Sequence, residues 1–211
     1  MKFSKGQQEA LSAVLISGIL IGVVGSVYFW GIPLIQKNKD ISLLETSESF
    51  MRTLDDKIKS VANTGGRDQI VINVPGVASF DGSVLQLSIE TEGTIYAVDA
   101  QIPLGRSATS NLKTDFSSGT PVTYGVWGVD DPVLFNVISK KINEGKYKND
   151  YTLDYIQLRN SKTLKDFKIN LTGQSASGGI EKTIIVESTG DSTSLINGRT
   201  LINSNVKISI V

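Results

Sequence analysis

A chain of 211 residues holds one domain with a tail, or two small domains. Its 21 basic and 21 acidic side chains cancel, so no basic excess exists to neutralise nucleic-acid phosphates. Cysteine and histidine are absent, which excludes disulfides, thiolate metal sites, the usual zinc sites and catalysis built on histidine. No cofactor or metal is expected, and any chemistry would fall to carboxylates, lysines or tyrosines.

In chain order, Met1 to Gly6 is a short basic leader, MKFSKG, with Lys2 and Lys5. Gln7, Gln8 and Glu9 follow. The stretch Ala10 to Ile35 then carries no charged residue. At ~1.5 Å per residue, about 20 residues cross a ~30 Å hydrocarbon core, so this run spans one with a turn to spare. That much apolar surface belongs in lipid or inside a packed helical assembly. The apolar core of a secretory signal is about 7–15 residues and ends at a small-residue cleavage site. Here the run is longer, and its far end, Tyr28-Phe29-Trp30-Gly31-Ile32-Pro33, has no such site. The three aromatics suit a membrane–water interface. Lys2 and Lys5 on one side nearly balance Lys37 and Lys39 on the other, so charge does not fix orientation. Gly18, Gly22 and Ser26 recur every fourth residue on one face, the small-xxx-small spacing that lets helix backbones approach. Pro33 is expected to kink or end the helix near Gly31.

The leader resembles the class III signal of archaeal type IV pilin-like proteins, archaellins included. The resemblance lies in a basic leader ending in Lys5-Gly6, then Gln7, then an acidic residue at the mouth of a long apolar helix. It covers about the first 40 residues. It implies cleavage by a prepilin peptidase between Gly6 and Gln7, with the apolar helix kept as the assembly element. Family members often carry a glutamate at the fifth mature position, whereas Glu9 would stand at the third. In one reading the new amine of Gln7 pairs with Glu9 of a neighbouring copy. In the other, Glu9 sits in the headgroup layer, favoured by the helix dipole.

Gln36 to Asp40 (QKNKD) reads as a polar break. Ile41 to Ala62 reads as an amphipathic helix, with Leu43, Phe50, Leu54, Ile58 and Val61 at helical spacing and a stop at Asn63-Thr64-Gly65-Gly66. From Arg67 the period changes to two. Gln69 to Val74 is a predicted strand. Leu85 to Glu90 and Tyr96 to Ile102 alternate about Glu92-Gly93 as a predicted hairpin. Gly105 to Gly119 reads as a surface loop and Val122 to Val126 as a strand. Tyr124 and Trp127 read as core or edge packing. Asp130-Asp131-Pro132 is expected to cap a short helix with Leu134, Val137, Ile138 and Ile142 on its apolar face; capping accounts for Asp131 better than acid–base or metal chemistry. Tyr151 to Leu158 and Leu164 to Leu171 read as a second hairpin turned at Asn160-Ser161. Asn170-Leu171-Thr172 is a glycosylation sequon, and Asn170 points to solvent if Phe167, Ile169 and Leu171 point inward. Gly173 to Gly179 reads as a loop. Ile180 to Glu187, a stretch around Leu195 and Ile196, and Val206 to Val211 complete the strands, the last pinning the C-terminus in a sheet.

The expected architecture is α+β: a long N-terminal helix, then an antiparallel β-sandwich or barrel-like domain. The divisions are a leader (1–6), a hydrophobic transmembrane or filament-core helix (7–35), a polar break with an amphipathic helix (36–64), and a β-rich extracytoplasmic domain (65–211). Three functions compete. The first is a structural subunit of a cell-surface filament. It is stored in the cell membrane, cleaved at Lys5-Gly6-Gln7, and assembled with copies of itself through Glu9, Gly18, Gly22 and Ser26. Its partners would be the prepilin peptidase and the assembly machinery. The second is a membrane-anchored extracytoplasmic binding or accessory protein that never polymerises. The third is an anchored carboxylate enzyme, which no spacing in the chain supports. The expectation is therefore a non-enzymatic protein.

Overall fold

The computed structural model of the chain describes residues 5–104, 132–159, 163–196 and 198–211. One helix, α1 (Lys5–Thr64), runs 60 residues without a break, about 90 Å at ~1.5 Å per residue. The expected end near Gly31 is not found, because the helix continues through Pro33. A proline costs the one hydrogen bond its missing N–H would make and crowds the preceding turn. Helix-forming residues on both sides propagate past that single loss. Nor do Gln36 to Asp40 break the helix. Polarity changes there, but the segment holds no glycine or proline, and Gln36 donates to Asp40 one turn on, Nε2 to Oδ1 3.3 Å. The helix stops at Thr64, where Gly65 and Gly66 take φ of 76° and 91°, a left-handed geometry that glycine adopts without a Cβ clash.

The strands are β1 (Arg67–Val71), β2 (Val77–Phe80), β3 (Leu85–Thr91), β4 (Gln101–Pro103), β5 (Val133–Asn143), β6 (Lys146–Tyr155), β7 (Leu158–Arg159), β8 (Lys165–Thr172), β9 (Ala176–Gly178), β10 (Thr183–Ile196) and β11 (Arg199–Ile210). They form a five-stranded sheet in the order β1-β10-β11-β8-β7 and a six-stranded sheet in the order β4-β5-β6-β3-β2-β9. The fold is α+β, with a mixed rather than purely antiparallel strand set. β11 and β8 run parallel from Thr200 beside Lys165 to Lys207 beside Thr172. The first end of that pair is fixed by Arg199, whose Nη2 lies 2.7 Å from Oδ1 of buried Asp166. The C-terminus is held as expected: Val211 and Thr183 exchange backbone hydrogen bonds of 2.8 and 3.0 Å.

Four expectations about the strands are corrected. Val133–Asn143 is strand β5, not a helix. Val133, Phe135, Val137 and Ser139 are buried in alternation, and pairing with β6 over almost the whole strand outweighs the local capping signal. Asp130 and Asp131 themselves lie outside the described residues. The hairpin of Leu85–Glu90 with Tyr96–Ile102 does not form. β3 pairs instead with β2 and β6. Asp99 takes φ 58°, which breaks the extended run, so that Val98 makes one isolated bridge to Ser139 and Gln101–Pro103 forms the short strand against β5. The second hairpin survives only as Leu158 and Arg159 against Phe167 and Asp166, because Tyr151 to Tyr155 belong to β6, between β5 and β3. Part of the expected loop Gly173 to Gly179 is strand β9, paired with β2. The Gly105 to Gly119 loop, the Val122 to Val126 strand, Tyr124, Trp127 and the Asn160-Ser161 turn lie outside the described residues.

The second half of α1 and both sheets share one core. Leu44, Met51, Leu54, Ile58 and Val61 of the helix meet Ile72, Leu87, Tyr151, Leu153, Ile184, Val186, Val206 and Ile208 in one buried cluster. On the helix, Asp40, Leu44, Ser47, Met51, Leu54, Ile58 and Val61 are all buried, alternating four and three residues apart. That spacing keeps one stripe facing the sheets over six turns.

The β2–β3 turn is held by Asp81, whose Oδ1 accepts from the backbone N–H of Val84 at 2.8 Å and of Ser83 at 2.9 Å. The Val84 bond, then the Ser83 bond, holds this carboxyl below its ordinary value of 3.8. Lys57 does the same for Asp68. A depressed folded-state pKa gives a contribution that is full above the unfolded value and disappears as pH falls through the folded value. Urea midpoints are therefore expected to drop between about pH 5 and pH 3, and Asp81→Ala to remove part of that drop as well as about 1 kcal/mol at neutral pH. An unchanged midpoint profile in Asp81→Ala would show that the turn carries no such load.

Candidate functional site

The helix divides into two chemically different halves. From Leu11 to Ile35 every large apolar side chain is more than half exposed, Phe29 and Trp30 reaching 84% and 85%. This is the one helix among the described residues that is long and apolar enough to cross a membrane. Among the described residues nothing covers this length of bare apolar surface.

The small-residue face lies in this half. A Cβ built on Gly18, Gly22 or Gly25 would meet nothing within 4 Å. Among the described residues, then, the glycines relieve no crowding. The Ser26 hydroxyl donates to the Gly22 carbonyl one turn back at 2.8 Å, and Ser17 to Ala13 likewise at 2.8 Å. Both hydroxyls are thus satisfied without water, which suits an apolar surrounding. Lys5, Gly6, Gln7 and Glu9 lie in the first turns of α1.

Where the bare half meets the head, a polar clamp grips the helix. Tyr151 of β6 is fully buried, and its hydroxyl donates to the Leu44 carbonyl at 3.0 Å. Tyr96 stands edge-on to Tyr151, ring centroids 6.0 Å apart at 82°. Its hydroxyl lies 3.2 Å from that of Tyr151 and 3.3 Å from Oε2 of Glu48. Glu48 accepts in turn from Arg52 at 2.6 Å, and the Arg52 guanidinium lies over the Phe135 ring, 5.3 Å from its centroid. Further along, Tyr155 donates to Oδ1 of Asp55 at 2.7 Å. Burial pushes the Tyr151 phenol well above its ordinary value. It therefore stays protonated and acts as a hydrogen-bond donor, not as a base. Tyr151→Phe is expected to cost about 1 kcal/mol in urea unfolding. A loss below about 0.3 kcal/mol would mean that the carbonyl is served equally well without the phenol.

Sequence reasoning did not foresee this clamp. Its partners lie far apart along the chain, Tyr151 107 residues from Leu44 and Tyr96 48 residues from Glu48, and no local spacing encodes such a meeting. Among the described residues no group of three Asp or Glu side chains is placed to hold a metal ion. Asn170 lies on the face of β8 opposite to Ile169 and Leu171, half-buried, and its Nδ2 donates to Oδ1 of Asn205 at 2.9 Å. Ile169 and Leu171 point inward as expected, but Phe167 is 42% exposed. No protein-family model, curated protein or solved structure matches the chain.

Proposed function

We propose that this chain is a non-enzymatic structural subunit of an archaeal type IV pilus-like surface filament. Before assembly it resides in the cell membrane through α1. After a prepilin peptidase cuts between Gly6 and Gln7, the bare half of the helix packs with copies of itself and the β-rich head forms the outer surface. One observation carries the reading: a single unbroken helix that is bare and apolar from Leu11 to Ile35 and forms the spine of the head from Asp40 to Val61. A plain membrane anchor needs the first property but no rigid continuation into the head. The glycine face, which meets nothing among the described residues, supports close contact with another helix. The leader's resemblance supports the cleavage.

The mass of the N-terminal peptide of protein isolated from its native host tests this. A mature chain beginning at Gln7 is expected. A chain still carrying Met1 or Lys2 would make the run an uncleaved anchor and favour a membrane-bound accessory protein that does not polymerise. Gly6→Leu is expected to leave an unprocessed, membrane-retained precursor, and normal processing of that variant would place the cut elsewhere.

A further inference from the structure

The end of the head nearest the bare helix carries a basic hairpin that the function above does not use. β6 runs alongside α1 in the same direction, because Tyr151 reaches Leu44 and Tyr155 reaches Asp55. Lys146 lies five residues before Tyr151, about 16 Å back along the strand. That is about 11 residues back along the helix from Leu44, near Pro33 and the end of the apolar run. The cleft between them agrees: Gln36, Lys39 and Asp40 of α1 share it with Glu90, Glu92 and Lys146. The turn that joins β5 to β6 therefore sits level with the point where the uncharged run gives way to Lys37 and Lys39.

The composition of that hairpin is unusual for a strand pair. Lys140 stands directly across from Lys148, a like-charge pairing that works against the sheet. Lys148 is met by Asp150 at 3.2 Å. Lys140, Lys141 and Lys146 are exposed and make no ion pair among the described residues. Glu144 in the turn, Glu90 across from Lys148 and Glu92 in the cleft beside Lys146 match these three lysines in number, but among the described residues none of them pairs with a lysine of the hairpin, so the ammonium groups stay open to an outside anion. The register slips between Lys141 and Asn143, so Ile142 is the extra residue of a bulge, 45% exposed among lysines. A bulge re-aims side chains, and here it presents an isoleucine at the tip of a cationic hairpin.

We propose that the β5–β6 hairpin is a lipid-contacting element. Lys140, Lys141 and Lys146, together with Lys37 and Lys39, hold the phosphates of anionic lipids while Ile142 enters the interfacial layer. This rests on the apolar run residing in a bilayer before assembly, the premise of the function proposed above. The occupant is fixed by position and charge: the hairpin is level with the end of the span, where headgroups lie, and its unpaired charge is positive.

The chain has no cysteine, so Ile142→Cys carries a single environment-sensitive fluorophore. The full chain is reconstituted into phosphatidylcholine vesicles with and without about one-third phosphatidylglycerol. Blue-shifted emission is expected only on the anionic vesicles, reversing at about 0.5 M salt. Changing Lys140, Lys141 and Lys146 together to glutamine is expected to lower the equilibrium constant for insertion by about fivefold per lysine, roughly 100-fold in all. Water-like emission on both vesicle types, from chains that float with the lipid, would overturn this proposal alone. So would emission unmoved by the triple substitution. Failure to float with either vesicle would overturn membrane residence and this proposal with it.

Discussion

Gly22→Leu is expected to abolish sheared, pelletable filaments while leaving the head's melting temperature unchanged to within about 1 °C. The two halves of this result come from one geometry. A Cβ added at Gly22 meets nothing within 4 Å among the described residues, and leucine is a better helix former than glycine by about 0.5–1 kcal/mol. Everything local therefore favours the variant. Only a second helix lying against the Gly18-Gly22-Ser26 face can object, because leucine there holds the two backbones apart. Each subunit in a filament repeats that contact, so a loss of even about 1.4 kcal/mol per interface is tenfold per addition step. Leucine at Val24, which is 55% exposed and on the opposite side of the helix from the glycine stripe, serves as the control and is expected to assemble. Normal filaments from Gly22→Leu would remove the glycine face from the assembly account.

Leu54→Ala is expected to have the opposite signature, a damaged head on an intact arm. Leu54 is 1% exposed on the buried stripe of α1. Truncating such a side chain removes its transfer energy and leaves a cavity, typically 2–5 kcal/mol, against a total of about 5–15 kcal/mol for a domain. For a head of this size that lowers the melting temperature by roughly 5–15 °C. Leu20→Ala, identical in chemistry but 59% exposed in the bare half, is expected to leave the melting temperature alone. Calorimetry on both variants in detergent decides it. A shift under about 2 °C in Leu54→Ala would show that the head is stable without its helix, against the single shared core described above.

The sequence was most legible where a single period ran long. The uncharged stretch to Ile35, the helical stripe through Leu54 and Ile58, and the change to period two after Arg67 all rest on repetition within one element, and all appear in the fold. Legibility failed where a long-range partner chose the conformation. Val133 to Ile142 carried helical spacing and a good cap, yet β6 claimed it as a strand. Leu85 to Glu90 alternated cleanly but paired with strands before and after the segment that looked like its mate. The glycine face needed only spacing four apart to be seen. The Tyr96-Tyr151-Glu48 clamp needed three segments to meet, and the hairpin lysines acquired meaning only once β6 was laid alongside the helix. Pro33 misled for another reason: its local penalty is real, but one lost hydrogen bond does not end a helix supported on both sides.

The unbroken passage of α1 from its bare half into the core has a mechanical consequence. Tension on a filament built from these helices would enter each head along the helix axis, with no hinge at which to turn. The stripe from Asp40 to Val61 would then be loaded in shear, all its contacts strained together, and not peeled one turn at a time. A chain without a single covalent cross-link would thereby resist pulling through simultaneous failure of many weak contacts, and the phenol of Tyr151 on the Leu44 carbonyl would be among the first to feel the load.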